Sequence, residues 1–420
     1  MKVIFSEINE CRVCGSDDLI SVLSLGDQFF SDFLENKDQF NGNEKTPLEL
    51  VVCGNEKCRL LQTKHTVSRS ALFTENYWFR SSVNESLIEG LYDISRNVQK
   101  KLDIKQDDFI LDIGCNDGTL LRSFNECKKI GFEPATNIAD DAKDGTEHII
   151  NDFFSYEALQ EHYPDTKYKS ITSIAMFYDL EEPNKFVSDI AKCLDKNGIW
   201  TIQMAYLKTD IDKNGFDNIV HEHLEYYSLY SLENLLRRHD LEVFDLELNS
   251  LYGGSIRTYI KHKDSKQFKI EDSVENLRRE EMRDKFSEIQ TYIDYANRVK
   301  SLKKDLITFI ESEQEKGKIF YCYGASTKGN TILQYFEIND ALISKVVDRD
   351  HRKFGKFTVG TNLEVISEEQ GRKDNPDYFI ILPWHLTEFF INREKEYLEN
   401  GGKFVLAFPE LTIISKDSIK

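Results

Sequence analysis

Proline is scarce in this chain, 7 in 420 residues, while 40% of positions are hydrophobic and 30% charged. That balance excludes a disordered or collagen-like polymer. Long apolar runs are missing too: none approaches the ~18 residues that span a bilayer. The opening MKVIFSEINECRV has no apolar core of the kind a secretory signal needs. A cytoplasmic protein with no membrane partner is therefore expected. Positive charge is in deficit, with 54 Lys and Arg against 73 Asp and Glu and a net charge of −19. Such a surface repels the phosphates of nucleic-acid polymers, yet leaves room for a local basic pocket. Three familiar signatures are absent as well: the dinucleotide pattern G-x-G-x-x-G, the P-loop, and the zinc-hydrolase motif H-E-x-x-H.

What is present is enough length for two to four domains. From about residue 109, strand and helix patterns alternate: FILDI, KKIGFE, HIIND, SITSIAM and IWTIQMAYL, with helical stretches between them. Alternation of this kind predicts βαβ units and a parallel sheet covered on both faces. Two strand-like runs, 241–250 and 254–263, then meet across a short turn as an antiparallel pair. Five alternating strands followed by a hairpin match the order of a class I methyltransferase, whereas a dinucleotide dehydrogenase would continue with parallel units. Residues 269–316 read as a charged helical connector with a stripe at Leu302, Leu306, Phe309 and Ile310, and a second Rossmann-like α/β run fills 317–420. The expected organisation is 1–75, 76–268, 269–316 and 317–420.

Four of the eight cysteines fall in the first 58 residues, as Cys11-x2-Cys14 and Cys53-x4-Cys58. Two pairs on tight turns can converge tetrahedrally on Zn2+, which would supply folding energy to a unit of ~70 residues with little core. The remaining cysteines, Cys115, Cys127, Cys193 and Cys322, read as structural.

The first strand closes in Asp112-Ile-Gly114-Cys-Asn116-Asp117-Gly118. Glycines there admit a ligand to the backbone, and the following helix offers free N–H groups. Glu133 ends the next strand, 21 residues beyond Asp112, where a carboxylate can hold ribose hydroxyls. An aspartate at position 112 would sit badly beside a pyrophosphate but can hold the ammonium of S-adenosylmethionine. Asp152 and Phe153, after the third strand, stand where adenine docks; ordinary core packing is the competing reading for the aromatic.

Beyond the fifth strand the chain reads NIVHEHLEYYSLYS. His221 and His223 would diverge on a helix but can share a cleft from an irregular loop. Further on, GASTKGN presents Ser326 and Lys328 at a helix start suited to phosphate, with a plain helix cap as the alternative. Asp348 ends the second strand of that run at a ribose-contacting position, and Arg257 in GGSIR is a further phosphate candidate, against a salt-bridge role.

Taken together, the cysteine quartet, GCNDGTLL, HEHLEYYSL, GGSIR and YGASTKGN resemble the nucleotide-sugar C-methyltransferases that build branched deoxysugars, over essentially the whole chain. The resemblance implies a methyl-donor domain between a zinc unit and a C-terminal domain. It implies S-adenosylmethionine as donor, a nucleotide-linked keto sugar as partner, and a monomer or small homo-oligomer. By it, His223 is the base, Glu222 assists it and Tyr77 lines the catalytic site; Tyr227 is a further substrate-binding candidate, and the chemistry of an enolate would let His221 or a tyrosine donate to the developing oxygen. Two positions depart from the family pattern: Val220 stands where a tyrosine is usual, and the fourth strand ends in MFYDLEEP instead of N-x-x-x-H-x-x-D. A sugar O-methyltransferase and a non-catalytic sugar-nucleotide binder are the alternative readings.

Overall fold

The computed structural model describes residues 5–37, 45–68, 72, 79–83 and 85–418. Its largest well-covered element is a seven-stranded sheet in the order Leu241–Asn249, Ser255–His262, Leu194–Ala205, Tyr168–Ile174, Phe109–Ile113, Lys128–Phe132 and His148–Ile150. In chain order this is 6-7-5-4-1-2-3, with Ser255–His262 antiparallel to both of its neighbours. The parallel strands read as unbroken apolar runs because both faces are covered. One face packs Leu111, Ile113 and Ile171 beneath Phe186, Val187, Ile190, Leu232 and Leu277. The other packs Ile110 and Tyr259 beneath Leu91, Ile94, Val98 and Leu121.

The C-terminal sheet has eight strands, ordered Thr412–Ile414, Lys403–Leu406, Tyr378–Ile381, Phe320–Tyr323, Lys345–Asp348, Glu364–Ser367, Phe357–Thr358 and Phe33–Leu34. Its last strand comes from the N-terminal unit, paired antiparallel with Phe357–Thr358. That unit also forms its own antiparallel sheet, Leu19–Gln28, Thr46–Cys53 and Leu61–Thr63, to which Glu225–Tyr226 is added from the chain that follows the fifth strand of the methyltransferase sheet.

The stretch expected as a connector holds the helices Asp272–Arg283 and Ile289–Gln314. The long helix buries Tyr292, Tyr295, Ala296, Val299, Leu302, Leu306 and Ile310, and Phe309 is half-buried beside them. Its stripe belongs to one core shared with Leu23, Leu50 and Val52 of the N-terminal unit and Phe320, Ile332 and Val346 of the C-terminal one. It is thus the common wall of two layers, which explains why an otherwise charged helix carries a continuous apolar face. Among the described residues no helix is long and apolar enough to cross a membrane.

The four N-terminal cysteines converge, every pair of their Sγ atoms lying within 4.8 Å. Cys11 and Cys58 are 3.7 Å apart and Cys14 and Cys53 3.4 Å. Tetrahedral thiolates at ~2.3 Å from zinc sit ~3.8 Å from one another, so the quartet fits a closed structural zinc site. Positive φ at Gly15 and Arg59 turns the chain tightly after each pair. Asn184 in the methyltransferase helix Pro183–Cys193 donates to the carbonyls of Arg12 and Val13, docking the cluster on the central sheet.

Candidate active site

A cavity opens at the C-terminal ends of the parallel strands, between Phe109–Ile113 and Tyr168–Ile174, where the strand order reverses. Ligands of open α/β sheets bind at such a reversal. Asp112, Gly114, Asn116, Glu133, Asp152 and Phe153 all line it, together with Phe79, Met176 and Asp179. Gly118 sits just outside, at the start of the helix Thr119–Arg122. Its φ of +77° and a virtual Cβ 3.0 Å from the Ala142 backbone leave no room for a side chain. Gly114, at φ +70°, would drive a Cβ to 3.2 Å from Met176.

Glu133 accepts from the backbone N–H groups of Asn116 and Ala135, both at 2.8 Å, so it holds the glycine loop against the second strand. Each oxygen keeps a lone pair that can take a ribose hydroxyl. The Asn116 side chain accepts from Ser81 N and donates to Phe79 O, and Asp117 accepts from Ser82 N. The segment 79–82 is thereby latched across the cavity mouth. Asp112 accepts from Thr172 Oγ1 at 2.6 Å. Burial, with Glu133 adding to it, raises its carboxyl to about 7. Among the described residues no cation contributes to its environment, so the site suits a positively charged ligand group.

The second half of the site is the irregular stretch 214–224. Phe216 anchors one end among Tyr335, Phe336 and Phe408 of the C-terminal domain, at ring distances of 5.1 to 5.4 Å. The other end enters the N-terminal sheet through Glu225–Tyr226, with Leu224 O accepting from Thr63 N at 2.9 Å. Between these anchors His223 Nδ1 lies 2.8 Å from Asn218 O. A carbonyl can only accept, so Nδ1 carries the proton and Nε2 presents its lone pair. The ring packs on Tyr178 at 4.2 Å, and Leu224 N donates to Tyr178 O at 2.7 Å, joining this loop to the one that follows the fourth strand. Burial, reinforced by the Lys328 ammonium, lowers His223 to about 3, so the imidazole is neutral. The same ammonium acts on Asp210, Asp217 and His385. Asn218 binds Asp210, and Trp384 Nε1 donates to Asp217 at 3.2 Å. Lys328 and the segment Trp384–His385 thus bring the C-terminal domain to His223, opposite the hairpin turn at Gly253, whose Cβ would stand 3.7 Å from His385.

Several expected site residues lie elsewhere. Arg257 is 2% exposed; its guanidinium donates to Gln203, Asp93 and Glu247, so it secures the hairpin and not a phosphate. His221 turns away from the cleft, its Nε2 3.1 Å from Thr46 O and its ring 4.6 Å from Phe30. Tyr227 is a core residue, 1% exposed and 5.2 Å from Phe177. Asp348 does end its strand, but its carboxylate is engaged by Asp350 N at 2.8 Å and by Lys353 at 3.5 Å. Ser326 caps the helix Thr327–Phe336, accepting from Gly329 N at 3.0 Å. Glu222 is half-buried next to His223, and burial raises its carboxyl. Tyr77 lies outside the described residues. Residues that sequence reasoning passed over are Asn218, Tyr178, Asp179, Trp384 and His385. Tyr178 and Asp179 lie in the departure MFYDLEEP and Asn218 opens the segment NIVHEHLEYYSLYS, whereas Trp384 and His385 carried no signal.

Three family models match the chain in succession. A zinc-binding domain model matches residues 11–73, a methyltransferase domain model 87–246, and a C-methyltransferase C-terminal domain model 250–409. The chain is 28% identical over 424 aligned residues to the C-methyltransferase NovU of Streptomyces niveus, covering 100% of both. Solved structures similar to part of it include an S-adenosylmethionine-dependent methyltransferase from Clostridium acetobutylicum, 13% identical with a TM-score of 0.33, covering 43% of this chain and 92% of that one. Another is the magnesium protoporphyrin IX methyltransferase of Synechocystis with bound S-adenosylmethionine, 11% identical with a TM-score of 0.32, covering 44% and 86%. With three consecutive domain models, a full-length relative and a closed cysteine quartet, the chain carries zinc-binding, methyltransferase and C-methyltransferase C-terminal domains in sequence and is an S-adenosylmethionine-dependent methyltransferase.

Proposed function

We propose that the protein methylates a carbon next to the ketone of a nucleotide-linked keto-deoxysugar. The observation that carries this reading is the neutral His223, its Nδ1 proton committed to Asn218 O and its Nε2 open as a base. It stands between a donor cavity and the cationic Lys328. When bound, S-adenosylmethionine supplies an electrophilic methyl group on a sulfonium. Asp112, Gly114, Asn116, Gly118, Glu133, Asp152 and Phe153 hold it, the carboxylates taking its ammonium and ribose and the glycines admitting its backbone-facing edge. Bond formation at carbon requires a carbanion equivalent, and an adjacent carbonyl makes the C–H proton acidic enough for an imidazole to remove.

Lys328 and the helix start capped by Ser326 then take the diphosphate. Pairing of Lys328 with an anion removes the positive field on His223 and raises its basicity, so the base strengthens when substrate arrives. Glu222 steadies the loop beside His223. The two domains that meet at this loop position the reacting carbon, which supplies much of the rate.

The test is His223→Asn, assayed with a 4-keto-6-deoxy sugar nucleotide in deuterium oxide. Exchange of the acidic C–H is expected to be lost while S-adenosylhomocysteine binds as it does to the native protein. Exchange at the native rate would remove His223 from the base role. A methoxy product in place of a C-methyl product would shift the reading to O-methylation.

A further inference from the structure

Proton removal by His223 leaves negative charge on the carbonyl oxygen, and some group must receive it. Of the expected donors among the described residues, two are occupied and one is enclosed away from the cleft. His221 Nε2 faces Thr46 O, Tyr226 donates to the carbonyls of His223 at 3.2 Å and Asn218 at 3.4 Å, and Tyr227 is enclosed in the core.

Asp179 is differently placed. It follows Tyr178, the residue whose ring covers His223, and it lines the donor cavity directly. It ends the 3-10 turn Phe177–Asp179, reached from the fourth strand through Ala175, whose φ is +53°. A non-glycine residue in that conformation is strained, and such strain gathers where a loop is held for function. The Asp179 Oδ1 atom is shut off from solvent with no hydrogen-bond partner among the described residues. An ionised carboxylate left that way costs several kcal/mol, whereas the protonated acid tolerates it. Burial is the larger cause, and Glu222 and Glu225 add like charge, so the Asp179 carboxyl is held well above the usual carboxylate range.

We propose that Asp179 is a catalytic residue, a neutral carboxylic acid that donates to the substrate carbonyl oxygen while His223 withdraws the neighbouring proton. The assignment rests on the keto-sugar reading above. In the first step His223 Nε2 takes the proton from carbon, the C–H pair becomes the C=C bond, and the carbonyl π pair moves to oxygen, which receives the Asp179 proton. In the second, the proton returns to Asp179 as the C=O bond re-forms. The carbon's pair bonds the methyl carbon, and sulfur departs as a thioether with the pair of the broken S–C bond. The imidazolium proton goes to solvent.

Two measurements on the full-length protein test this. Infrared difference spectra of native protein minus Asp179→Asn at neutral pH, without substrate, are expected to show a protonated-carboxyl C=O band carried by Asp179. Deuterium exchange of a 4-keto-6-deoxy sugar nucleotide, without methyl donor, is expected to fall about 10²–10³-fold in Asp179→Leu, the range for removal of one oxyanion donor. Asp179→Asn, whose amide can still donate, should recover part of it. A native far-ultraviolet circular dichroism spectrum and a cooperative melt certify the fold of each variant, and the asparagine variant carries the test if the leucine variant fails that check. Absence of the band overturns the neutral acid. Native-rate exchange in either folded variant, or failure of asparagine to exceed leucine, overturns the donor role alone. No exchange by the native protein overturns the keto-sugar reading, and the donor role with it.

Discussion

Replacing Arg257 by methionine separates a residue that builds the sheet from one that binds an anion. Arg257 lies in the antiparallel strand Ser255–His262, in register with Gln203 on one side and Glu247 on the other. Its Nε donates to Gln203 Oε1 at 2.8 Å, and its Nη1 to Asp93 at 2.8 Å and Glu247 at 3.1 Å. The two carboxylates are 42% and 38% exposed; they rehydrate when the guanidinium goes, so each ion pair contributes only ~0–1 kcal/mol. Gln203 keeps a second partner in Asn249 Nδ2 at 3.1 Å, which limits the loss of its bond to ~1 kcal/mol. The sum is about 2 kcal/mol, and at ~2–4 °C per kcal/mol for a unit of this size the melting temperature should drop by ~4–8 °C. Lys328→Met is the complement, with KM for the sugar nucleotide raised ~10–100-fold through loss of a charged hydrogen bond. Thermal melts by circular dichroism, paired with steady-state kinetics, read both. An Arg257→Met protein that melts like the native one but binds the nucleotide sugar tenfold more weakly would refute this assignment.

Purified protein should hold one zinc ion per chain. Cys58→Ser should lose it and, with the strand Leu61–Thr63 that pairs with Glu225–Tyr226, lower kcat by ~10²-fold through misplacement of His223. S-adenosylhomocysteine affinity should change less than about tenfold. Metal analysis beside calorimetry checks this, and full activity in metal-free protein would count against it. Methyl-donor binding should also depend on pH. Asp112 sits at about 7 in the free protein, and its ionised form is the one that pairs with an ammonium. Affinity should therefore weaken as pH falls below about 7, approaching tenfold per unit, with a proton released on binding. Calorimetry in buffers of different ionisation enthalpy measures that proton. A flat affinity between about pH 5.5 and 7.5, or an unchanged slope in Asp112→Asn, would remove Asp112 from contact with the donor.

That residues 112–116, 133 and 152–153 would meet at one cavity was legible because they are local. The turn 112–118 and the carboxylate at 133 are set by two adjacent strands, and strand order follows from the alternation and the closing hairpin. Residues whose roles depend on distant partners were not legible. Arg257 and Tyr227 carry the right chemistry for a substrate, yet cross-strand register sends the first to Asp93 and Glu247, and the second lies against Phe177. His221 and His223 differ by two positions, and only their partners, Thr46 O and Asn218 O, tell wall from base. The shared core of the Ile289–Gln314 helix was half visible: its stripe showed in the period, but not that two different layers cover it.

The pairing of Phe33–Leu34 with Phe357–Thr358 sets a timetable for the chain as it leaves the ribosome. The partner strand is made about 320 residues later, and at ~5–20 residues per second that is a delay of ~15–65 s. During that interval the cysteine quartet and the hairpin-like strands around it can close on metal by themselves, being complete by Cys58. The edge at Phe33–Leu34, and the place reserved for Glu225–Tyr226, must wait unpaired. An early, metal-closed head that holds two open sheet positions makes the last-made domain the one that completes the first, so removal of the C-terminal strands should expose the N-terminal edge to aggregation rather than leave two independent proteins.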